Sequence, residues 1–212
     1  MDAYEFDPKR DLKYEVIDGQ IVYLSPLAKP NHAITVRNIA MDITQYLKDK
    51  KCNLYHENNY LRLDKIEELK KINLPKLNQK KDRYIPDIMV VCDAEIDTAD
   101  GVVGAPVLII EVASPSTENY DRKIKKDVYE AIGVSEYWIV RPKDTAIEVY
   151  LLKDGKYDLD NIYYKYSESE LRGFDLERED GVRDFKVITE FSPHSFPDLV
   201  IKTDDVFAKF IE

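Results

Sequence analysis

Apolar and polar positions change their period several times along the chain, and each change marks an element. Residues 14 to 26, YEVIDGQIVYLSP, hold two short β-prone runs about Asp18-Gly19, a dipeptide that favours a tight turn, and predict a β-hairpin. With Asn31 as N-cap, the period then lengthens: Val36, Ile39, Ala40, Ile43 and Leu47 share one face of an amphipathic helix whose lysine-rich end complements its dipole. NLYHENNYLRL, 53 to 63, alternates as a strand. Residues 64 to 83 are charged and contain Pro75, the pattern of a surface insertion with one short helix.

The densest apolar runs lie in the middle. YIPDIMVVCD, 84 to 93, and PVLIIEVA, 106 to 113, are near-continuous, as expected of central strands buried on both faces. AEIDTADGVVGA between them is loop-like. After SPST, a helix over about 119 to 132 has Ile124, Val128, Ala131 and Ile132 as its stripe and Gly133 to end it. EYWIVRP, 136 to 142, is a third buried strand, reached by a crossover of right-handed sense. Two strand runs about Asp154-Gly155, an acidic loop and a last apolar segment, FPDLVIKTDDVFAKF, complete the chain. With no repeat or low-complexity tract, the pattern predicts one domain over 1–212, an α/β fold with a mixed sheet flanked by helices.

Charge narrows the function. Lys and Arg number 31 against 41 Asp and Glu, a net charge of −10, which opposes non-specific coating of nucleic acid. The lysines at 65, 70, 71, 76, 80 and 81 form either a local basic patch that offsets this or a solvated insertion surface. No apolar run reaches the length of about 18 residues needed for a membrane span, and MDAYEFDPKRD is too charged for a secretory signal, so a soluble, cytoplasmic protein is expected. Cys52 and Cys92 lack metal-ligand spacing, and Cys92 sits in an apolar run where a thiol packs as a small hydrophobe. Neither a disulfide nor a zinc site is expected.

Three features carry chemistry. Asp87 interrupts the first central strand, Glu111 interrupts the second, and Lys123, Lys125 and Lys126 follow on the next helix. Acids on paired buried strands repel, and a divalent cation removes the repulsion; Mg²⁺ is typically held by one or two carboxylates plus waters, with positions left for a phosphate. A lysine nearby orients the attacking water or stabilises developing negative charge. Such a set hydrolyses phosphodiesters. The bland reading of Glu111 is a strand-end charge that reaches solvent.

The stretch YIPDIMVV…GAPVLIIEVASPSTENYDRKIKKDVYEAIGVSEYWIV closely resembles the Uma2 family of the PD-(D/E)xK restriction-endonuclease-like superfamily. The likeness extends to the hairpin, the His32 helix and, more loosely, the FPDLVI…DVF tail. It leaves out the insertion at 64 to 83 and the acidic stretch near 167 to 184. The resemblance implies a restriction-endonuclease-like fold and a DNA endonuclease using Mg²⁺ or Mn²⁺, bound by Asp87, Glu111 and the Val112 carbonyl. The ExK lysine would fall at 113, where the chain has Ala113. The lysine then comes from the helix, where Asp121, Lys125 and Tyr129 share a face at i, i+4 and i+8; Lys125 is the first choice and Lys123, on the solvated side, the reserve.

Glu15 matches an acid of the family's hairpin near the metal, against an exposed strand charge as its bland reading. His32 is a phosphate or metal contact, or a packing residue. Ser114 and Ser116 are turn and cap residues, since no histidine follows at a motif-like spacing to serve as base, and Tyr129, Tyr137 and Trp138 are core. Cutting both strands of a duplex implies a homodimer. The alternative functions are a non-catalytic nucleic-acid-binding or regulatory module that keeps the fold, and a phosphoesterase acting on another substrate.

Overall fold

A computed structural model of the chain describes residues 13–23, 29–56, 59–67, 69, 78, 82–114, 117–179 and 186–211. The strands are β1 (Tyr14–Ile17), β2 (Gln20–Tyr23), β3 (Asn53–His56), β4 (Ile88–Val91), β5 (Asp97–Thr98), β6 (Gly101–Val102), β7 (Leu108–Val112), β8 (Glu136–Arg141), β9 (Ala146–Lys153), β10 (Lys156–Tyr164), β11 (Glu190–Phe191) and β12 (Ile201–Lys202). The helices are α1 (Pro30–Leu47), α2 (Lys126–Ile132), entered through a π-helical turn (Tyr120–Lys125), α3 (Glu168–Glu179) and α4 (Thr203–Val206).

Six strands form the central sheet in the order β10-β9-β8-β7-β4-β3. The β7–β8 pair is parallel and the other neighbours are antiparallel, which makes the sheet mixed. The parallel pair requires a crossover, and the π turn and α2 provide it. The hairpin expected at Asp18-Gly19 forms, and the two strand runs about Asp154-Gly155 pair as a second one, with Asp18 and Gly19 at φ 53° and 72° and Asp154 and Gly155 at φ 50° and 76°. Positive φ at both central residues gives a turn whose twist matches the strands.

Alternation along the strands divides the core into two layers. Ile88, Val90, Leu108, Ile110 and Val112 face Val36, Ile39, Ala40, Ile43 and Leu47 of α1, together with Phe196, Leu199 and Phe207 from the C-terminal segment. Met89, Val91, Ile109, Tyr137 and Ile139 face Val128 and Tyr129, with Ile17 of the hairpin and Leu61, Leu63, Leu69 and Tyr84 completing the other layer.

Several local expectations give way. Helix α1 starts at Pro30 with Lys29 as its cap, because proline suits the first helical turn. Asn31 lies inside the helix, and its amide exchanges hydrogen bonds with the backbone of Ile211. Of the strand expected over 53–63, the described residues form β3 over Asn53–His56 and a bridge at Leu61. Leu63, Ile66 and Leu69 are buried, so the start of the charged insertion belongs to the core. Lys65 is exposed, whereas the lysines at 70, 71, 76, 80 and 81 and Ser116 lie outside the described residues. The stretch expected as an acidic loop contains α3, which buries none of its residues.

The cysteine expectation is overturned. Cys52 and Cys92 form a disulfide, with Cα atoms 4.1 Å apart. The β3–β4 register pairs Asn53 with Val91, so the cysteines are the next residues along an antiparallel ladder and face each other. Among the described residues, no helix is long and apolar enough to cross a membrane.

Candidate active site

β4 and β7 pair with Ile88 opposite Ile110, which brings Asp87 and Glu111 to the same end of the two central strands. Asp87 is partly open to solvent, with 22% of its side chain exposed. Its Oδ2 accepts a 2.7 Å hydrogen bond from the Val112 N–H and lies 3.5 Å from His32 Nε2 at the start of α1. Glu111 is 2% exposed and sits deeper.

The π turn supplies the inner wall. The Lys126 N–H donates to the Asp121 carbonyl, five residues back, and the Tyr137 hydroxyl donates to the same carbonyl at 3.0 Å. This wider turn differs from the α-helix expected from the sequence, and both Asp121 and Lys125 are buried in it. Lys125 Nζ lies 3.1 Å from Glu111 Oε1, 3.1 Å from Glu15 Oε1 and 3.8 Å from Asp121 Oδ1. Glu15 projects inward from β1 and is fixed by the Ile85 N–H, which donates to Oε1 at 2.8 Å. The structure therefore brings Asp87, Glu111, Lys125 and Glu15 to one place, with His32 beside Asp87.

The reserve lysine, Lys123, is exposed. Ser114 shapes the turn into the helix: its carbonyl accepts the N–H groups of Thr117 and Glu118. Tyr137 and Trp138 are fully buried. Tyr129 is also buried, yet its hydroxyl donates to Glu111 Oε1 at 2.7 Å, a contact that sequence spacing does not reveal.

Electrostatics follow from four acids around one ammonium. Burial pushes the Glu111 carboxyl well above its usual range; Lys125 opposes the shift, and the charges of Asp121, Asp87 and Glu15 add to it. Burial likewise raises Asp121, to about 6. Burial pulls Lys125 down, but Glu111, Glu15, Asp121 and Asp87 outweigh it and hold the ammonium well above its ordinary value. Lys125 thus stays charged, and the centre retains a surplus of negative charge.

Asp121 Oδ1 is buried and makes no hydrogen bond. A buried carboxylate oxygen in that position, in a set with more acids than cations, fits a further positive charge. Among the described residues, no three His, Cys, Asp or Glu side chains form a ready cation cage. Asp87 and Glu111 remain as a two-carboxylate pair, the number with which Mg²⁺ is commonly held while it keeps several waters.

A second ionic group adjoins the first. Register places Glu111, Ile139 and Glu148 on one row across β7, β8 and β9. Arg122 of the π turn binds both oxygens of Glu148 at 2.7 Å, and Arg141 Nε lies 3.1 Å from Glu148 Oε1. Burial raises the Glu148 carboxyl, but its hydrogen bonds with Arg122 and Tyr150 and the nearby arginine charges hold it below the usual range.

With this geometry in place, comparison with known proteins decides the family. Residues 2–180 match the model of Uma2, described as "Putative restriction endonuclease". The chain belongs to the Uma2 family. The family match includes most of the acidic stretch and all of the insertion, both outside the resemblance read from motifs, and stops before the C-terminal segment that packs on α1. An uncharacterized protein of Synechocystis sp. is 25% identical over 151 residues, 71% of this chain and 72% of that one. A crystal structure from Anabaena variabilis, titled "a putative nuclease belonging to DUF820", superposes with a TM-score of 0.59 at 16% identity, covering 93% of this chain and 90% of the other. That likeness establishes a shared fold.

Proposed function

We propose that this Uma2 protein is a metal-dependent endonuclease that hydrolyses DNA phosphodiester bonds at the centre formed by Asp87, Glu111, Lys125 and Glu15. The observation that carries the reading is the convergence of Glu111, Glu15 and Asp121 on Lys125 Nζ, next to the Asp87 carboxylate that opens to solvent. Asp87, Glu111 and the Val112 carbonyl are the groups that would hold Mg²⁺ or Mn²⁺. A divalent cation held there supplies charge neutralisation at a phosphoryl oxygen and a lower pKa for water.

The chain's own residues do the rest. Lys125 keeps a full positive charge at the inner wall, where negative charge develops on the phosphoryl group. Tyr129 and Lys125 both hold Glu111 by Oε1, fixing its orientation. Glu15, tied to the Ile85 N–H, anchors Lys125 from the hairpin side. His32, at 3.5 Å, steadies the outer acid. Cleavage of both strands of a duplex calls for two such centres, and hence for a pair of subunits.

A non-catalytic nucleic-acid-binding or regulatory module that keeps the fold is the second reading, and the net charge of −10 speaks against a sequence-specific restriction enzyme. Incubation of the protein with plasmid and single-stranded DNA in Mg²⁺, Mn²⁺ or EDTA separates the two. Cleavage that needs the metal and disappears in Asp87→Ala supports the enzyme. Binding without cleavage in any metal supports the module.

A further inference from the structure

A net charge of −10 gives a polyanion little long-range attraction, so contacts with the bases can add to affinity where phosphate pairing is weak. On the N-terminal hairpin stands a cluster of rings and a guanidinium. Tyr14 and Tyr23 are cross-strand partners in the hairpin, with ring centroids 6.2 Å apart in an edge-on arrangement. The Arg83 guanidinium lies 4.7 Å from the Tyr14 ring centroid and 4.8 Å from that of Tyr60. Its Nε is buried and makes no hydrogen bond, and among the described residues no carboxylate pairs with it. The guanidinium donates through Nη2 to the Tyr14 hydroxyl and lies against the Tyr14 and Tyr60 rings. Tyr23, at the end of the stack, is 43% exposed.

Register sets which face of the hairpin the rings occupy. Val16 and Arg83 bridge in antiparallel fashion, which sets Tyr14 level with Ile85, two residues before Asp87. The next residue of β1, Glu15, points to the opposite face and reaches Lys125, so the rings stand on the other face of the hairpin.

We propose that Tyr14, Tyr23, Tyr60 and Arg83 form a nucleobase-stacking platform on the hairpin that binds unpaired nucleic acid. The platform does not rest on the nuclease reading. Stacking on an aromatic side chain contributes about 1–3 kcal/mol per base, and an arginine in the stack adds a cation–π contribution. Base pairing and stacking in a duplex hide the base faces, so the platform selects single strands.

Fluorescence anisotropy in EDTA, where metal-dependent cleavage is blocked, tests the proposal with three labelled ligands of equal length: a thymidine single strand, its duplex, and an abasic strand with the same phosphates. The expected order places the thymidine strand about tenfold or more ahead of both others. Tyr23→Ala and Tyr60→Ala each remove about tenfold for the thymidine strand and leave the abasic strand unchanged, while Tyr23→Phe keeps wild-type affinity. Equal affinity for thymidine and abasic strands, no binding to any of the three, or no loss in either alanine variant overturns the platform. Absence of cleavage when metal is restored, with this binding order intact, overturns the nuclease reading alone.

Discussion

Glu111 and Glu148 occupy one row of the sheet with Ile139 between them, and each grips a basic side chain of the same π-helical turn: Lys125 at 3.1 Å for the first, Arg122 at 2.7 Å for the second. The two strand spacings that separate the acids, about 10 Å in all, are the span over which the turn is clamped to the sheet. Loss of the Arg122 anchor releases one end of the turn that presents Lys125. Glu148→Gln should reduce turnover by about 10- to 100-fold with little change in KM, as expected when a positioning contact behind a reactive group is lost. Steady-state cleavage kinetics check this, and an unchanged kcat would show that the clamp does not set the position of Lys125.

Tyr129→Phe removes one hydroxyl and leaves the ring packing in place. Its hydrogen bond goes to a buried carboxylate, so the variant should lose about 2 kcal/mol of stability. Urea unfolding of the two proteins measures the difference, with an equal m-value expected because the surface exposed on unfolding is the same.

Asp121 makes stability depend on pH with a defined sign. Burial raises its folded value from 3.8 to about 6, so the fold favours the protonated form. That contribution is fully present below the unfolded value and is lost as pH rises through the folded one. Asp121→Asn should therefore gain on the wild type between about pH 4 and pH 6, by about 3 kcal/mol in total. Unfolding midpoints across that range, without divalent cations, provide the test.

The Cys52–Cys92 bridge closes a loop with a sequence separation of 40. On the chain-entropy account, its reduction should remove about 4 kcal/mol. Thermal unfolding with and without dithiothreitol checks the value, and Cys92→Ser should reproduce the reduced protein's stability and show no further response to reductant.

The sequence shows most of what builds the sheet and less of what builds the site. The continuous apolar runs around Asp87 and Glu111 mark central strands because only strands covered on both faces stay apolar throughout. Lys125 is legible as well, since its spacing from Asp121 and Tyr129 survives the local change to a π turn. The disulfide is not legible, because it depends on the register between β3 and β4, and register is a tertiary property. Helix α3 escapes because it buries nothing and so carries no apolar stripe. The approach of His32 to Asp87 and of Arg122 to Glu148 joins residues distant in the chain, for which a single sequence offers no spacing signal.

The most direct test of the centre is a double-mutant comparison of single-turnover DNA cleavage in Mn²⁺, using Lys125→Met, Glu111→Gln and the two combined, with circular dichroism confirming that each folds. Groups that act as one unit are strongly non-additive. Each single change should lower the rate by about 10³-fold or more, and the combination should be no more than about tenfold worse than either. A Lys125→Met protein that cuts DNA at the wild-type rate would contradict the account.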